Sequence, residues 1–342
     1  MRVGIMTSGG DCPGLNAVIR GAVLNGIKTH DQEYVGFLDG WRGVIEDDAI
    51  ELERHLVRGI SKQGGTILGT SRTHPYNHPN GGPENIAAAL ERHGVDALVA
   101  IGGEGTLAGA HRLAEAGLPI VGVPKTIDND LGVTDYTFGF DTAVQIGTEA
   151  MDRLRTTGES HHRCMVAEVM GRHAGWIALH AGMAAGAHAI LIPEQKVTLD
   201  QVGEWVKEAF DRGRAPLVVV AEGFTPAGDA DDYTPLGAAR DGRMRLGGIG
   251  ERIAPIIEEL SGVETRATTL GHIQRGGTPT AFDRVLATRM GMAASDLVAA
   301  GAWDQMPALR GTNLERVPMS DALQSLKTVT QERYDEAAIL FG

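Results

Sequence analysis

One pattern recurs along this chain and limits what it can fold into: a short apolar run, a glycine-rich turn, then a helical period. Val3 to Met6 runs into Thr7-Ser-Gly-Gly-Asp-Cys-Pro-Gly14 and a helix from Leu15 through Ile27. Asp96 to Ile101 runs into Gly102-Gly-Glu-Gly-Thr106 and a helix from Leu107 to Ala116. Arg163 to Met170 runs into Gly171-Arg-His-Ala-Gly175 and another helix. Apolar runs too short for helices, each followed by glycine and a 3.6-residue period, predict parallel strands with crossover helices. The fold class is therefore α/β. An all-β sandwich does not fit, since glycine reaches 47 residues while aromatics are only 5%. With 342 residues and 42% hydrophobic content, the chain can bury one large or two medium cores.

The bulk properties exclude several functions. A net charge of −13 with no long basic run speaks against nucleic acid as a partner. The longest apolar runs are short and broken by glycine, so no membrane span is expected. Cys12 and Cys164 lie far apart and form no disulfide or zinc pattern. Met1 to Met6 reads directly into a strand, and a cytoplasmic location is expected.

The candidate chemistry sits in the turns. After Leu118-Pro-Ile-Val121 comes Gly122-Val-Pro-Lys-Thr-Ile-Asp-Asn-Asp130. Two acids, Asp128 and Asp130, then lie just past a strand's C-terminal end, where open α/β sheets form their ligand crevice. One carboxylate there can take a proton from a hydroxyl while the other orients a cation. Asp-Asn-Asp is also ordinary turn chemistry. The turn after Met6 matches neither the dinucleotide nor the P-loop spacing, yet a glycine turn opening a helix favours anions. Gly64-Gly-Thr-Ile-Leu-Gly-Thr-Ser-Arg72 is a second glycine loop, and its terminal arginine suits a phosphate. Glu104 can hold Mg²⁺ or simply complement a helix N-terminus. Arg163, Arg172, Arg266 and Arg275 complete a set with the parts that phosphoryl transfer needs.

Six segments together resemble the 6-phosphofructokinase family. They are Gly9 to Asn16, Gly64 to Arg72, Gly102 to Thr106, Pro124 to Asp130, Glu168 to Gly175 and Leu270 to Gly277, in the family's order. The resemblance implies two Rossmann-like three-layer α/β/α lobes with the active site in the cleft between them. The nucleotide-binding lobe would comprise 1–138 plus about 273–303, and the sugar-phosphate lobe 139–272 plus about 304–342. An exposed insertion is expected near 225–248.

The resemblance also implies roles. Asp128 would take the proton from the 1-hydroxyl of fructose 6-phosphate, supported by Thr126, Asp130 and Arg172, with Ile127 beside the sugar. Gly10, Arg72, Thr73, Gly103, Glu104, Gly105 and Thr106 would bind ATP, with Arg72 also facing the transferring phosphoryl and Glu104 on Mg²⁺. Met170, Gly171, Arg172 and Glu222 would grip the sugar. Arg163, Arg266, His272, Ile273, Gln274 and Arg275 would line the pocket for its 6-phosphate. Part of that pocket comes from a neighbouring subunit in the family, so a homotetramer or homodimer is expected.

Two positions bear on the phosphoryl donor. Gly105 matches members that use ATP, because a residue without Cβ leaves room for the nucleotide. Lys125 matches members that use pyrophosphate. The pair together resembles a mixed clade, and the steric requirement at Gly105 favours ATP. Pyrophosphate is the alternative donor, and a non-catalytic sugar-phosphate binder the alternative function.

Overall fold

The computed structural model describes residues 1–228 and 247–342. Of the insertion expected near 225–248, residues 229–246 lie outside the described residues. In chain order the first elements are β1 (Arg2–Ser8), α1 (Leu15–His30), β2 (Glu33–Phe37), α2 (Trp41–Glu46), β3 (Ala49–Glu51), α3 (Pro83–Arg92), β4 (Ala97–Gly102), α4 (Glu104–Glu115) and β5 (Ile120–Pro124). There follow α5 (Phe140–His161), β6 (Cys164–Val169), α6 (Trp176–Ala185), β7 (Ala189–Leu191), α7 (Leu199–Asp211), β8 (Leu217–Ala221), α8 (Ile249–Ser261) and β9 (Thr265–Thr269). The chain closes with α9 (Ala281–Ala299), β10 (Gln305–Arg310), β11 (Asn313–Pro318), α10 (Met319–Gln324) and α11 (Gln331–Ala338).

These elements form two compact α/β units. Unit 1 comprises Met1–Ile127, Leu131–Thr142 and Arg275–Leu326; unit 2 comprises Asp128–Asp130, Ala143–Gln274 and Lys327–Gly342. The chain thus passes between units after Ile127, Asp130, Thr142, Gln274 and Leu326.

Among the described residues, unit 1 is built on a seven-stranded sheet of order β11-β10-β5-β4-β1-β2-β3. The strands from β10 to β2 run parallel, while β3 and β11 are antiparallel edges. Side chains alternate across the sheet, so Met6, Phe37, Leu98 and Ile120 join Trp41, Ile86 and Leu107 in one buried cluster. Another close contact pairs α1 with α9. A Cβ on Gly21 would fall 2.3 Å from the Thr288 carbonyl oxygen, and one on Gly291 2.1 Å from that of Val18. The two helix backbones meet there because neither residue carries a side chain.

Unit 2 has a parallel four-stranded sheet of order β7-β8-β6-β9. Val166, Leu191, Val218 and Val220 pack on Val202 and Val206 of α7 and Ile253 and Ile257 of α8. Each such buried aliphatic side chain contributes roughly 1.5–3 kcal/mol relative to exposure.

Residues 304–326 depart from the expected boundaries. They belong to unit 1, because β10 extends its sheet beside β5 and β11 closes that edge as a hairpin. Pro307 of β10, one strand in from the edge, stands opposite Arg316, and Pro318 ends the edge strand β11. Near the C-terminus α10 and α11 are separated by extended chain that begins at Ser325.

A buried polar knot joins the start of α5 to the start of α9. Asp283 is buried, and one of its carboxylate oxygens accepts from the Thr142 amide at 2.8 Å and the Thr142 hydroxyl at 2.6 Å. The Thr280 hydroxyl caps α9 and donates to Asp141 at 2.6 Å. Burial pushes the Asp283 carboxyl up to about 6; Asp141 pushes the same way, while donors from Thr142 and Gly139 oppose the rise. The folded state therefore binds this proton more tightly than the unfolded chain. Its contribution to stability falls as pH rises through the window up to about 6. Asp283→Asn keeps an acceptor and carries no charge. The variant is expected to gain melting temperature relative to the parent as pH is raised from about 4 to about 7. A pH-independent difference would show that Asp283 does not titrate in that window.

Candidate functional site

The site of unit 1 is assembled by strand register. Ser8 of β1 pairs with Gly102 of β4, and Gly102 pairs with Pro124 of β5. Three turns therefore begin side by side at one sheet edge: the Gly9 turn, the Gly103 turn and the Lys125 turn. From β1 the chain moves outward to β2, whereas from β4 it moves the other way to β5. This makes β1/β4 the topological switch point, where α/β sheets hold their ligands. Gly14 and Gly103 cap α1 and α4 without any side-chain hydrogen bond. The first-turn amides of both helices are left to backbone partners, solvent or ligand.

The second glycine loop is sewn to the first. The Gly9 amide donates to the Ser71 carbonyl at 2.9 Å, and the Thr70 hydroxyl donates to the Gly9 carbonyl at 2.7 Å. The Thr7 hydroxyl bonds Thr66 at 2.9 Å and the Gly69 carbonyl at 2.7 Å. Asn16, buried on α1, donates to Gln63 and accepts from the Ile67 amide at 2.8 Å. Arg72 emerges exposed at the end of this seam, with Thr73 next to it. The sequence offers Asn16 only as a polar residue in an apolar helical period, and Thr7 only as the last polar residue of a strand.

Two cations grip the first turn. Lys125 is only 4% exposed, and its ammonium donates to the Gly10 carbonyl. The Arg275 guanidinium donates to the Asp11 carbonyl at 3.1 Å. A Cβ on Gly10 would fall 2.7 Å from that guanidinium. Arg275 thus belongs to unit 1 and to this turn, whereas the sequence grouped it with Arg163 and Arg266. Burial pushes the neighbouring Cys12 thiol up to about 12, so it is not a nucleophile at neutral pH.

Glu104 is the first residue of α4 and is exposed, with Gly105 exposed beside it and Thr106 buried. No cluster of three metal-capable side chains occurs among the described residues. Mg²⁺ needs none, since it keeps waters and takes most of its protein contact from one or two carboxylates plus substrate phosphates. An exposed hard oxygen donor beside an anion-favouring turn fits that ion.

Unit 2 gathers a second group at the C-terminal ends of β6, β8 and β9. The Glu222 amide bonds the Val169 carbonyl at 2.9 Å, and the Gly223 amide bonds Gly171 at 3.0 Å. A Cβ on Gly223 would fall 2.0 Å from the Arg172 carbonyl oxygen, so this residue must be small. Met170, Gly171, Arg172 and Glu222 therefore share one rim. After β9, His272 and Ile273 are exposed on a 3₁₀ turn. Gln274 is 0% exposed, and its carbonyl oxygen accepts from the Met170 amide at 2.8 Å. It acts as a brace behind the rim, which corrects its reading as a substrate contact.

Arg163 and Arg266 are not with these residues. Arg163 precedes β6 and pairs with Glu264 at 2.9 Å; Arg266 bonds Glu264 and lies 3.4 Å from Glu258. The Arg163 hydrogen bond holds the Glu264 carboxyl below the usual carboxylate range. Seven residues of extended chain separate Arg163 from Met170, roughly 20 Å along the strand. Within one chain these arginines cannot share an anion with Arg172 and His272.

The Asp128-Asn129-Asp130 turn clusters with unit 2 although unit 1 flanks it in sequence. Asp128 and Asp130 are partly buried; Asn129 is 3% exposed and has a φ of 52°. On the unit 1 side Ile127 is buried, and the Thr126 carbonyl accepts from the Thr137 hydroxyl at 2.7 Å. Lys327, a residue that no motif flagged, bonds this turn twice. Its amide donates to the Asp130 carbonyl at 2.8 Å and its ammonium to Asn129 Oδ1 at 3.1 Å.

The family model described as Phosphofructokinase matches residues 2–298. A pyrophosphate–fructose 6-phosphate 1-phosphotransferase of Amycolatopsis methanolica is 58% identical over 342 residues, covering 100% of both chains. An ATP-dependent 6-phosphofructokinase 3 of Streptomyces coelicolor is 53% identical over 338 residues, covering 98% of this chain and 99% of that one. The solved phosphofructokinase of Saccharomyces cerevisiae is 32% identical with a TM-score of 0.80, over 94% of this chain and 45% of the yeast chain. A pyrophosphate-dependent phosphofructokinase from Marinobacter aquaeolei, 22% identical, shares the fold with a TM-score of 0.83 over 100% of this chain and 92% of that one. The glycine turns of β1 and β4, the acid turn after β5 and the 3₁₀ turn after β9 all fall inside the family match, and the chain belongs to the phosphofructokinase family.

Proposed function

We propose that this phosphofructokinase transfers the γ-phosphoryl group of MgATP to the 1-hydroxyl of D-fructose 6-phosphate, giving fructose 1,6-bisphosphate and ADP. The observation that carries this reading is the aligned row of Ser8, Gly102 and Pro124, which starts two uncapped glycine turns beside the strand that leads to Asp128. Gly10, Gly103, Gly105 and Thr106 would cradle the nucleotide's phosphates, with Arg72 and Thr73 beside them. Glu104 would hold Mg²⁺, which when bound neutralises phosphate charge. Asp128 would take the proton of the 1-hydroxyl as it attacks, with Thr126 and Asp130 supporting it and Arg172 facing the developing charge. Met170, Gly171 and Glu222 would hold the sugar.

Gly105 supports ATP, since it leaves the second position of α4 without a side chain. Lys125 is compatible with that donor because its buried ammonium already serves the Gly10 carbonyl. Pyrophosphate is the second reading, favoured by the names of relatives at 54–58% identity, while relatives at 50–53% are named for ATP. A coupled assay with fructose 6-phosphate separates the two. Turnover is expected with MgATP, and Gly105→Asp should abolish it; turnover with pyrophosphate alone would reverse the assignment.

Asp128→Asn is expected to lower kcat by about 100- to 10,000-fold with smaller changes in KM. Near-normal kcat would remove Asp128 from its role.

Arg163 and Arg266 lie far from the Arg172 rim of their own chain, which supports their completing the 6-phosphate pocket of a neighbouring copy in a homodimer or homotetramer. Arg266→Ala is expected mainly to raise KM for fructose 6-phosphate. Mixed oligomers of Arg266→Ala and Asp128→Asn chains should recover activity at low substrate. An unchanged KM, or no recovery on mixing, would place the phosphate elsewhere.

A further inference from the structure

We propose that Lys327 is a positioning residue for the Asp128-Asn129-Asp130 turn, acting through the side chain of Asn129. This inference rests on the reading of Asp128 as the base.

The turn is short, acidic and bent. Asn129 occupies the left-handed region at φ 52°, a conformation that asparagine tolerates but does not enforce. Something outside the turn must therefore fix it. Lys327 does so with two groups at once: its amide holds the Asp130 carbonyl at 2.8 Å, and its ammonium holds Asn129 Oδ1 at 3.1 Å. Asn129 is only 3% exposed, so this charge-assisted bond is shielded from competing water.

Lys327 is itself anchored. Its carbonyl accepts from the Trp176 indole at 2.8 Å, and its ammonium lies 5.9 Å from the Trp176 ring centroid. Two residues on, the Val329 amide donates to Glu194 at 2.9 Å. The same carboxylate accepts from the Gly175 amide at 3.0 Å, at the end of the loop that carries Gly171 and Arg172. The segment 327–329 thus ties the acid turn to the first residue of α6 and to the glycine loop before it. Lys327 brings a cation to a turn with two carboxylates, and sets the direction in which they point, without being required to touch substrate.

The test is steady-state kinetics on the full-length enzyme, using fructose 6-phosphate and whichever donor the parent turns over. Lys327→Met is expected to lower kcat about tenfold, with KM for both substrates within about twofold of the parent. Lys327→Arg, which keeps a charged donor, should restore most of kcat. Asn129→Gly keeps the left-handed backbone and removes the acceptor, so Lys327→Met should have little further effect in that background. If Asn129→Gly does not fold, Asn129→Asp carries the test, because it keeps an acceptor and should retain the dependence on Lys327. Unchanged kcat in Lys327→Met, or an undiminished loss in the Asn129→Gly background, would overturn the proposal. Asp128→Asn is measured alongside: near-parental kcat there counts against the base assignment alone, whereas additive Lys327 and Asn129 effects count against the positioning role alone.

Discussion

The hydrogen-bond register between β1, β4 and β5 governs unit 1. These three strands are buried on both faces, so a one-residue slip would exchange the side chains fitted to the two layers that cover the sheet. The register that buries Met6, Leu98 and Ile120 together also ends the three strands in one row. The turns that follow have no choice but to open side by side. Core packing therefore fixes the geometry of the rim, and the glycines let backbone rather than side chains occupy it.

The charged groups beside that row are partly spent on the protein's own backbone. Lys125 and Arg275 hold the carbonyls of Gly10 and Asp11, two consecutive acceptors that the turn exposes. With 44 acids against 31 basic residues the general field repels anions, so a bound anion depends on cations placed locally. In unit 2 Arg163 and Arg266 are likewise held, here by Glu258 and Glu264. An anion arriving at that end must compete with carboxylates already in place.

The two-lobed α/β fold was legible because its signals are local. An apolar run, a glycine pair and a helical period each depend on neighbours in sequence, and the strand and helix cores read from them match the structure closely. What escaped depends on distant partners. Nothing near Lys327 announces that its side chain meets Asn129, almost two hundred residues earlier in the chain. Gln274 has a motif residue on each side, yet its amide points inward to Met170. The motifs named Arg163 and Arg275 as phosphate ligands without saying at which end of a strand, or on which unit, each would stand. The hairpin of β10 and β11 went unread, because β10 is followed by another strand and not by the helical period that marks the motif-bearing strands.

The chain threads from one unit to the other after Ile127, Asp130, Thr142, Gln274 and Leu326. No single scission can release either unit as a continuous piece. Each would have to be rebuilt from three fragments, so neither is a module that gene fusion could have appended or that proteolysis could shed. Synthesis from the ribosome has the same consequence: unit 1 cannot close until residues as late as Leu326 have emerged, by which time nearly all of unit 2 has been made.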